Sequence, residues 1–207
     1  MPREVTLVDA NLGNLDSVER ALIQVGASVV VSSDPNTVAT SRMVVFPGQG
    51  AFGEATDTLV DGAMGAALRM VIERGDPFLG ICLGMQLLFE SSDENGGHPG
   101  LEVLPGACKR FPEGTPLTPN NPDGRIMKIP HVGWNSVSPS MDHYYFSHSY
   151  YVQAARAEDV MWTTRYGMVE FPSAIRRNNI FGCQFHPEKS QRAGLRFLRS
   201  FVLGGRS

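Results

Sequence analysis

Two rhythms of hydrophobic and polar positions alternate through the first half of the chain. Val5 to Asp9 (VTLVD), Ser28 to Val31 (SVVV), Met43 to Phe46 (MVVF) and Phe78 to Ile81 (FLGI) are short apolar runs, the pattern of strands buried on both faces. Between them the period lengthens to that of a helix. Val18, Ala21, Leu22 and Val25 fall at i, i+3, i+4 and i+7, and Gly26 is placed to end that helix. Asp34-Pro35 reads as a cap followed by proline at the first helical position, which opens a short helix. Leu68, Val71 and Ile72 sit on another, which stops at Gly75-Asp76-Pro77. The resulting β-α-β-α-β order predicts an α/β fold. Its core is a doubly wound, mostly parallel central sheet with helices on both faces, and ligands in such sheets gather at the carboxyl ends of the strands.

Beyond Ser92 the texture changes. Ser92 to Gly100 and Pro112 to Arg125 read as loops rich in Gly, Pro, Asn and Asp. Gly106 to Phe111, Arg125 to Ile129, Tyr144 to Gln153, Val160 to Arg165 and Met168 to Arg177 are predicted strands, with Asn178-Asn179 as a turn. The second half therefore adds an antiparallel portion to the parallel sheet. Ile180 to Phe185 (IFGCQF) is a last buried strand, and a final helix carries Leu195, Leu198 and Val202 on one side until Gly204-Gly205. Residues 1–207 are expected to form a single domain, about the number this length suggests.

Three stretches carry candidate chemistry, and each falls at the end of a predicted strand. In Gly80-Ile81-Cys82-Leu83-Gly84 the cysteine stands on a strand-to-helix turn, and glycines two residues either side leave room for a nucleophile elbow. The start of a helix, with unpaired N–H groups and the positive end of its dipole, favours thiolate over thiol. A buried structural cysteine is the competing reading. Pro47-Gly48-Gln49-Gly50 follows the third strand, and its glycines allow a backbone N–H to face outward at an oxyanion site; a plain Gly-rich turn is the alternative. His186 and Glu188 follow the last strand, where extended residues two apart point to one side, so a base and a carboxylate to hold its ring are adjacent. In isolation a hydrogen-bonded structural histidine would be the preferred reading of His186. If the sheet is doubly wound, all three stretches meet at one edge.

Composition narrows the setting. Forty-two percent hydrophobic and 19% charged residues are ordinary for a globular protein, and a net charge of −3 gives no reason to expect nucleic acid or an anionic membrane as partner. No run approaches the roughly 18 apolar residues of a membrane span, and the N-terminal MPREVTLVDA lacks a signal peptide's apolar stretch, so a cytoplasmic location is expected. Three cysteines without C-x-x-C spacing indicate neither a disulfide framework nor a zinc site, and neither a metal nor a cofactor is expected.

The PGxG, GxCLGxQ and HPE elements, in that order over nearly the full chain, resemble the class I (triad) glutamine amidotransferases. That resemblance implies that Cys82 attacks the side-chain amide of L-glutamine, His186 shuttles the proton and Glu188 orients His186. Backbone N–H groups of Leu83 and of Gly48-Gln49 would hold the oxyanion, although Gln49 is an unusual residue at its place in the motif. Gln86, one helical turn beyond Cys82, would hold the substrate. Within the family, IPHVGWN (Ile129 to Asn135) and YYFSHSYY (Tyr144 to Tyr151) are similar to the amidotransferase subunit of imidazole glycerol phosphate synthase. This similarity implies a glutamine site lined by His148, Ser149 and Tyr150. It also implies a heterodimer with a (β/α)8 cyclase subunit, contacted through Trp134, Tyr145 and Lys189. The alternatives are an amidotransferase serving another acceptor, a stand-alone γ-glutamyl cysteine hydrolase, and a catalytically silent binding subunit.

Overall fold

The computed structural model describes residues 2–11, 15–55, 59–118 and 124–204. Parts of the loops read at 10–14 and 112–125, and Gly205, lie outside the described residues. In the first half β1 (Arg3–Val8), α1 (Leu15–Gln24), β2 (Ala27–Ser32), α2 (Pro35–Thr40), β3 (Val44–Gly48), α3 (Phe52–Ala55), α4 (Ala63–Glu73), β4 (Phe78–Cys82) and the single turn α5 (Leu83–Gln86) follow in order. Next come β5 (Phe89–Ser92), β6 (His98–Pro99), β7 (Leu104–Arg110), β8 (His131–Ser136), β9 (His143–His148), β10 (Tyr150–Ala154), β11 (Val160–Tyr166), β12 (Val169–Arg177), β13 (Ile180–Cys183) and α6 (Gln191–Val202).

The seven-stranded sheet has the order β11-β12-β13-β4-β3-β1-β2. From β2 to β13 neighbours are parallel, and β12 and β11 add an antiparallel edge. Consecutive residues along the central strands serve opposite faces, as the pleat requires. Val45, Leu79 and Ile81 pack with Leu22 of α1 and Phe197 and Leu198 of α6. Their neighbours Val44, Phe46 and Phe78 pack with Val38 of α2 and Leu68 and Val71 of α4. These two cores explain why β1, β3 and β4 read as continuous apolar runs; β2, expected to be buried on both faces, is the edge strand of the sheet and leaves Val30 and Val31 exposed. A second sheet, β10-β7-β5-β6, and the β8–β9 hairpin lie beyond the cysteine strand in sequence. No helix is long and apolar enough to cross a membrane among the described residues.

Four local expectations give way to tertiary contacts. Met85 to Phe89 has the composition of a helix former, yet the helix ends after one turn. The N–H groups of Leu101, Val103 and Leu104 bond the carbonyls of Leu87 and Leu88 at 2.7–3.0 Å, and Phe89 is drawn into a strand beside β7. Arg125 to Ile129 forms no strand, only an isolated bridge from Ile126 to Pro116. Tyr144 to Gln153 divides at Ser149, because β9 pairs with β8 while β10 pairs with β7. The last parallel strand ends at Cys183, two residues short of the predicted Phe185.

Candidate active site

β3 and β4 are in register so that Gly48 lies opposite Cys82 at their carboxyl ends. Cys82 has φ 54° and ψ −109°, outside the regions an L residue ordinarily occupies. Such strain costs about 1–3 kcal/mol and persists only where the surroundings impose it. Here they do. A Cβ at Gly80 would lie 2.5 Å from the carbonyl oxygen of Gly84, and one at Gly84 would lie 2.0 Å from that of Phe46. Gly48 is pressed similarly, since its Cβ would meet the Leu83 side chain at 2.9 Å. The three glycines thus let the turn fold back onto the sheet. Because α5 is a single turn, it offers the sulfur a few local N–H groups and little of the dipole that a longer helix would supply.

His186 reaches the same edge from β13. It is not on an extended run with Glu188, as the spacing suggests, because Pro187–Lys189 forms a 3-10 turn that carries the carboxylate back toward the ring. His186 Nδ1 and Glu188 Oε1 are 2.9 Å apart, with both side chains buried. Glu188 Oε2 has no hydrogen-bond partner among the described residues, so the buried carboxylate has the imidazole as its hydrogen-bonded partner. Burial by itself would push the His186 imidazole down. Hydrogen bonds to Cys82 and Glu188, and the negative charge on both, outweigh it and raise the group to about 10. The arrangement therefore favours an imidazolium beside the Cys82 sulfur. Backbone bonds pin it in place: His186 N–H donates to Tyr145 O at 2.8 Å, Tyr145 N–H donates to Ser190 Oγ at 2.9 Å, and that hydroxyl donates to His186 O at 2.6 Å.

The sulfur opens onto a cavity of about 370 Å³. Of the residues singled out from sequence, Gln49, Leu83, Gln86, His148, Ser149, Tyr150 and Lys189 line it with Cys82 and His186. Gly48 lies behind, against Leu83, and Glu188 stands behind His186. Trp134 and Tyr145 are outside the cavity, paired across the β8–β9 hairpin with ring centroids 6.1 Å apart, and Lys189 Nζ is 6.0 Å from the Tyr145 ring centre. The structure adds Glu94, Pro130 and Ser147 to the wall. Glu94 comes from a 3-10 turn in the loop after Ser92, and its Oε2 accepts from Phe52 N–H at 2.5 Å just past the PGQG segment. Nothing local in that loop signals such a reach of 42 residues.

Behind the wall, buried polar groups form a connected set. Gln86 Nε2 donates to Tyr150 O and to Gln184 Oε1, both at 3.0 Å. His148 Nδ1 lies 2.8 Å from the same Tyr150 oxygen, which can only accept, so the proton is on Nδ1. The other nitrogen, Nε2, then accepts from His131 Nδ1 at 3.1 Å, and His131 Nε2 accepts from Asn135 Nδ2 at 3.3 Å. Burial pushes His131 down to about 4. Burial, followed by the charges of His131 and His186, pushes His148 down to about 3 against the bond to Tyr150. Both rings are neutral with fixed tautomers. Gln184 is fully buried and escaped the sequence reading, although a polar residue inside the apolar IFGCQF run was its signal. Among the described residues no cluster of His, Cys, Asp or Glu forms a metal site.

Residues 6–204 match the family described as glutamine amidotransferase class-I. The chain belongs to that family. Curated relatives of the chain include proteins named imidazole glycerol phosphate synthase subunit HisH. The one from Moorella thermoacetica is 43% identical over 96% of this chain and 94% of its own length. The one from Salinibacter ruber is 44% identical over 95% and 93%. Solved structures share the amidotransferase fold at much lower identity. A crystal structure of a glutamine amidotransferase has a TM-score of 0.69 and 18% identity, covering 95% of this chain and 98% of its own. PurLQS from Thermotoga maritima has a TM-score of 0.65 and 16% identity, with 98% of each chain covered.

Proposed function

We propose that this chain is the glutaminase subunit of imidazole glycerol phosphate synthase, hydrolysing L-glutamine to glutamate and ammonia and passing the ammonia to a cyclase subunit. The observation that carries the chemistry is Cys82, held at φ 54° with His186 bonded to it and Glu188 behind. The relatives named HisH, over 40% identical along almost the whole chain, support the acceptor and the partner.

In this reading the thiolate attacks the amide carbon of glutamine. The oxygen that becomes negative is met by N–H groups of Leu83 and of the Gly48-Gln49 segment. His186, as imidazolium, gives its proton to the departing nitrogen, and ammonia leaves a glutamyl thioester. Neutral His186 then draws a proton from water as it attacks the thioester, and glutamate leaves with the thiolate restored. Glu94 is the acidic side chain of the cavity wall that suits the α-ammonium group of the substrate. The amide nitrogen of Gln86 is committed to Tyr150 and Gln184, which fixes the group in the wall beside His148, Ser149 and Tyr150 and leaves its oxygen to meet the substrate.

Ammonia released to water near neutral pH becomes ammonium and loses its nucleophilic lone pair, so a dry route to the acceptor site is needed. Trp134, half-exposed beside Tyr145 and Lys189 at the edge of the cavity, suits the contact with a cyclase that closes that route. Gly50, at φ 110° with nothing within 4 Å of a would-be Cβ, leaves the PGQG segment free to turn. An oxyanion donor held away until the partner binds its nucleotide would keep the isolated chain slow, by roughly 10²–10³. Glutamate release measured with the chain alone and with the cyclase plus its nucleotide substrate tests both points. Acceleration in that range is expected; equal rates would discard the proposed coupling, and no hydrolysis in either case would discard the function.

A further inference from the structure

We propose that Gln184 is a second hydrogen-bond donor to the reacting sulfur, its amide aimed at Cys82 by Gln86 and the backbone of Tyr150. This rests on Cys82 being the nucleophile, and it supplies what a one-turn helix does not.

The orientation of a glutamine amide is normally ambiguous, because its nitrogen and oxygen have nearly the same shape. Here one fixed atom removes the ambiguity. Tyr150 O is a carbonyl and only accepts, so the Gln86 atom 3.0 Å from it is the NH2 group. The same nitrogen lies 3.0 Å from one arm of the Gln184 amide, and that arm is therefore the oxygen. The remaining arm of Gln184 is an NH2 group, and it lies 3.6 Å from Cys82 Sγ. An NH2 group donates only, so the sulfur must accept. A thiolate accepts far better than a thiol, which means that the contact favours the ionised form. Gln184 is fully buried, has its oxygen bonded, and is held by the bond from its own N–H to Ser173 O at 2.9 Å. Its amide is thus ordered before any substrate arrives.

Other groups face the same sulfur or its partners. His186 bonds it, Glu188 stands behind His186, and Cys183 of β13 is close enough that the thiolate pushes its own thiol up, after burial and Glu188. His148, neutral, and the wall residues Glu94 and Lys189 complete the set. Among these, His186 and Gln184 are the hydrogen-bonding partners of the sulfur.

The test is the pH dependence of Cys82 alkylation by iodoacetamide in the full chain, read by mass spectrometry with Cys82→Ala as blank. Gln184→Met removes the donor at similar volume and should move the alkylation midpoint up by about one pH unit, the size of one charge-assisted hydrogen bond. Gln184→Glu, nearly the same shape with an acceptor in place of the donor, should move it further. A midpoint unchanged in either folded variant overturns the proposal. Should neither fold, the side-chain NH2 resonances of Gln184 in the unaltered chain decide: they should shift across the alkylation midpoint, and resonances that stay put overturn it equally. Alkylation reads the sulfur whatever the substrate. An unaltered chain that reacts readily but releases no glutamate counts against the proposed function and leaves the role of Gln184 standing.

Discussion

Two histidine sites border the same cavity in this fold, similarly buried and shifted in opposite directions. His186 is 2% exposed and raised to about 10; His131 and His148 are 3% and 6% exposed and lowered to about 4 and about 3. Burial opposes the charged ring in all three. The partners decide the sign. His186 faces a carboxylate and a sulfur, whereas His148 faces a carbonyl and another imidazole, neither of which offers a full negative charge. The same side chain is therefore held charged at one site and neutral at the other.

The comparison breaks most sharply at the charged site. His186→Ala or Cys82→Ala should lower glutamine hydrolysis by about 10⁴ or more, while synthesis from added ammonia by the assembled complex survives. Loss of both activities would place the acceptor chemistry on this chain. Glu188→Gln keeps the shape and removes the charge. It should cost about 10²–10⁴ in kcat and move the alkaline limb of the pH profile to lower pH, because the imidazolium loses its counter-charge. An unmoved limb would show that the carboxylate acts by position alone.

Acid titration of stability sharpens the contrast. A histidine with a depressed folded value leaves the unfolded chain binding the extra proton, so stability falls as pH drops from about 6.5 toward 4. The slope from each such ring is about 1.4 kcal/mol per pH unit, and His131→Asn should remove roughly one ring's share of it, as read from urea midpoints. His186 behaves inversely: its contribution is complete below about 6.5 and fades as pH climbs toward 10. The smallest effect is expected outside both sites. Trp134→Ala should change the stability of the chain alone by less than about 1 kcal/mol, since the ring is half-exposed, yet weaken cyclase binding about tenfold or more by titration calorimetry.

Much of this was legible in the sequence where the deciding forces are local. β1, β3 and β4 showed as apolar runs because both faces of each are covered, whereas the similar run in β2 belongs to an edge strand with Val30 and Val31 exposed; the glycines around Cys82 announced a strained turn that the close approach to Phe46 and Gly84 explains. The class I amidotransferase resemblance rested on those same short motifs, and the family match over residues 6–204 bears it out. What was hidden depends on distant partners. The end of α5 is set by N–H groups from residues 101–104, the split at Ser149 by two different neighbouring strands, and the places of Glu94 and Gln184 by contacts 42 and 102 residues away. The proximity of His186 and Glu188 was anticipated for the wrong reason, since a 3-10 turn and not strand alternation unites them.

The 3.6 Å between the Gln184 nitrogen and the atom it serves is also a gauge of elements. Nitrogen reaches an oxygen acceptor at about 2.7–3.2 Å, so a serine hydroxyl set on the same rigid elbow would stand short of that arm. The turn resembles the nucleophile elbows that carry serine in other proteins, but its surroundings are cut to the larger radius of sulfur, and exchanging Cys82 for serine alone would leave a gap that neither the strained backbone nor the locked amide is free to close.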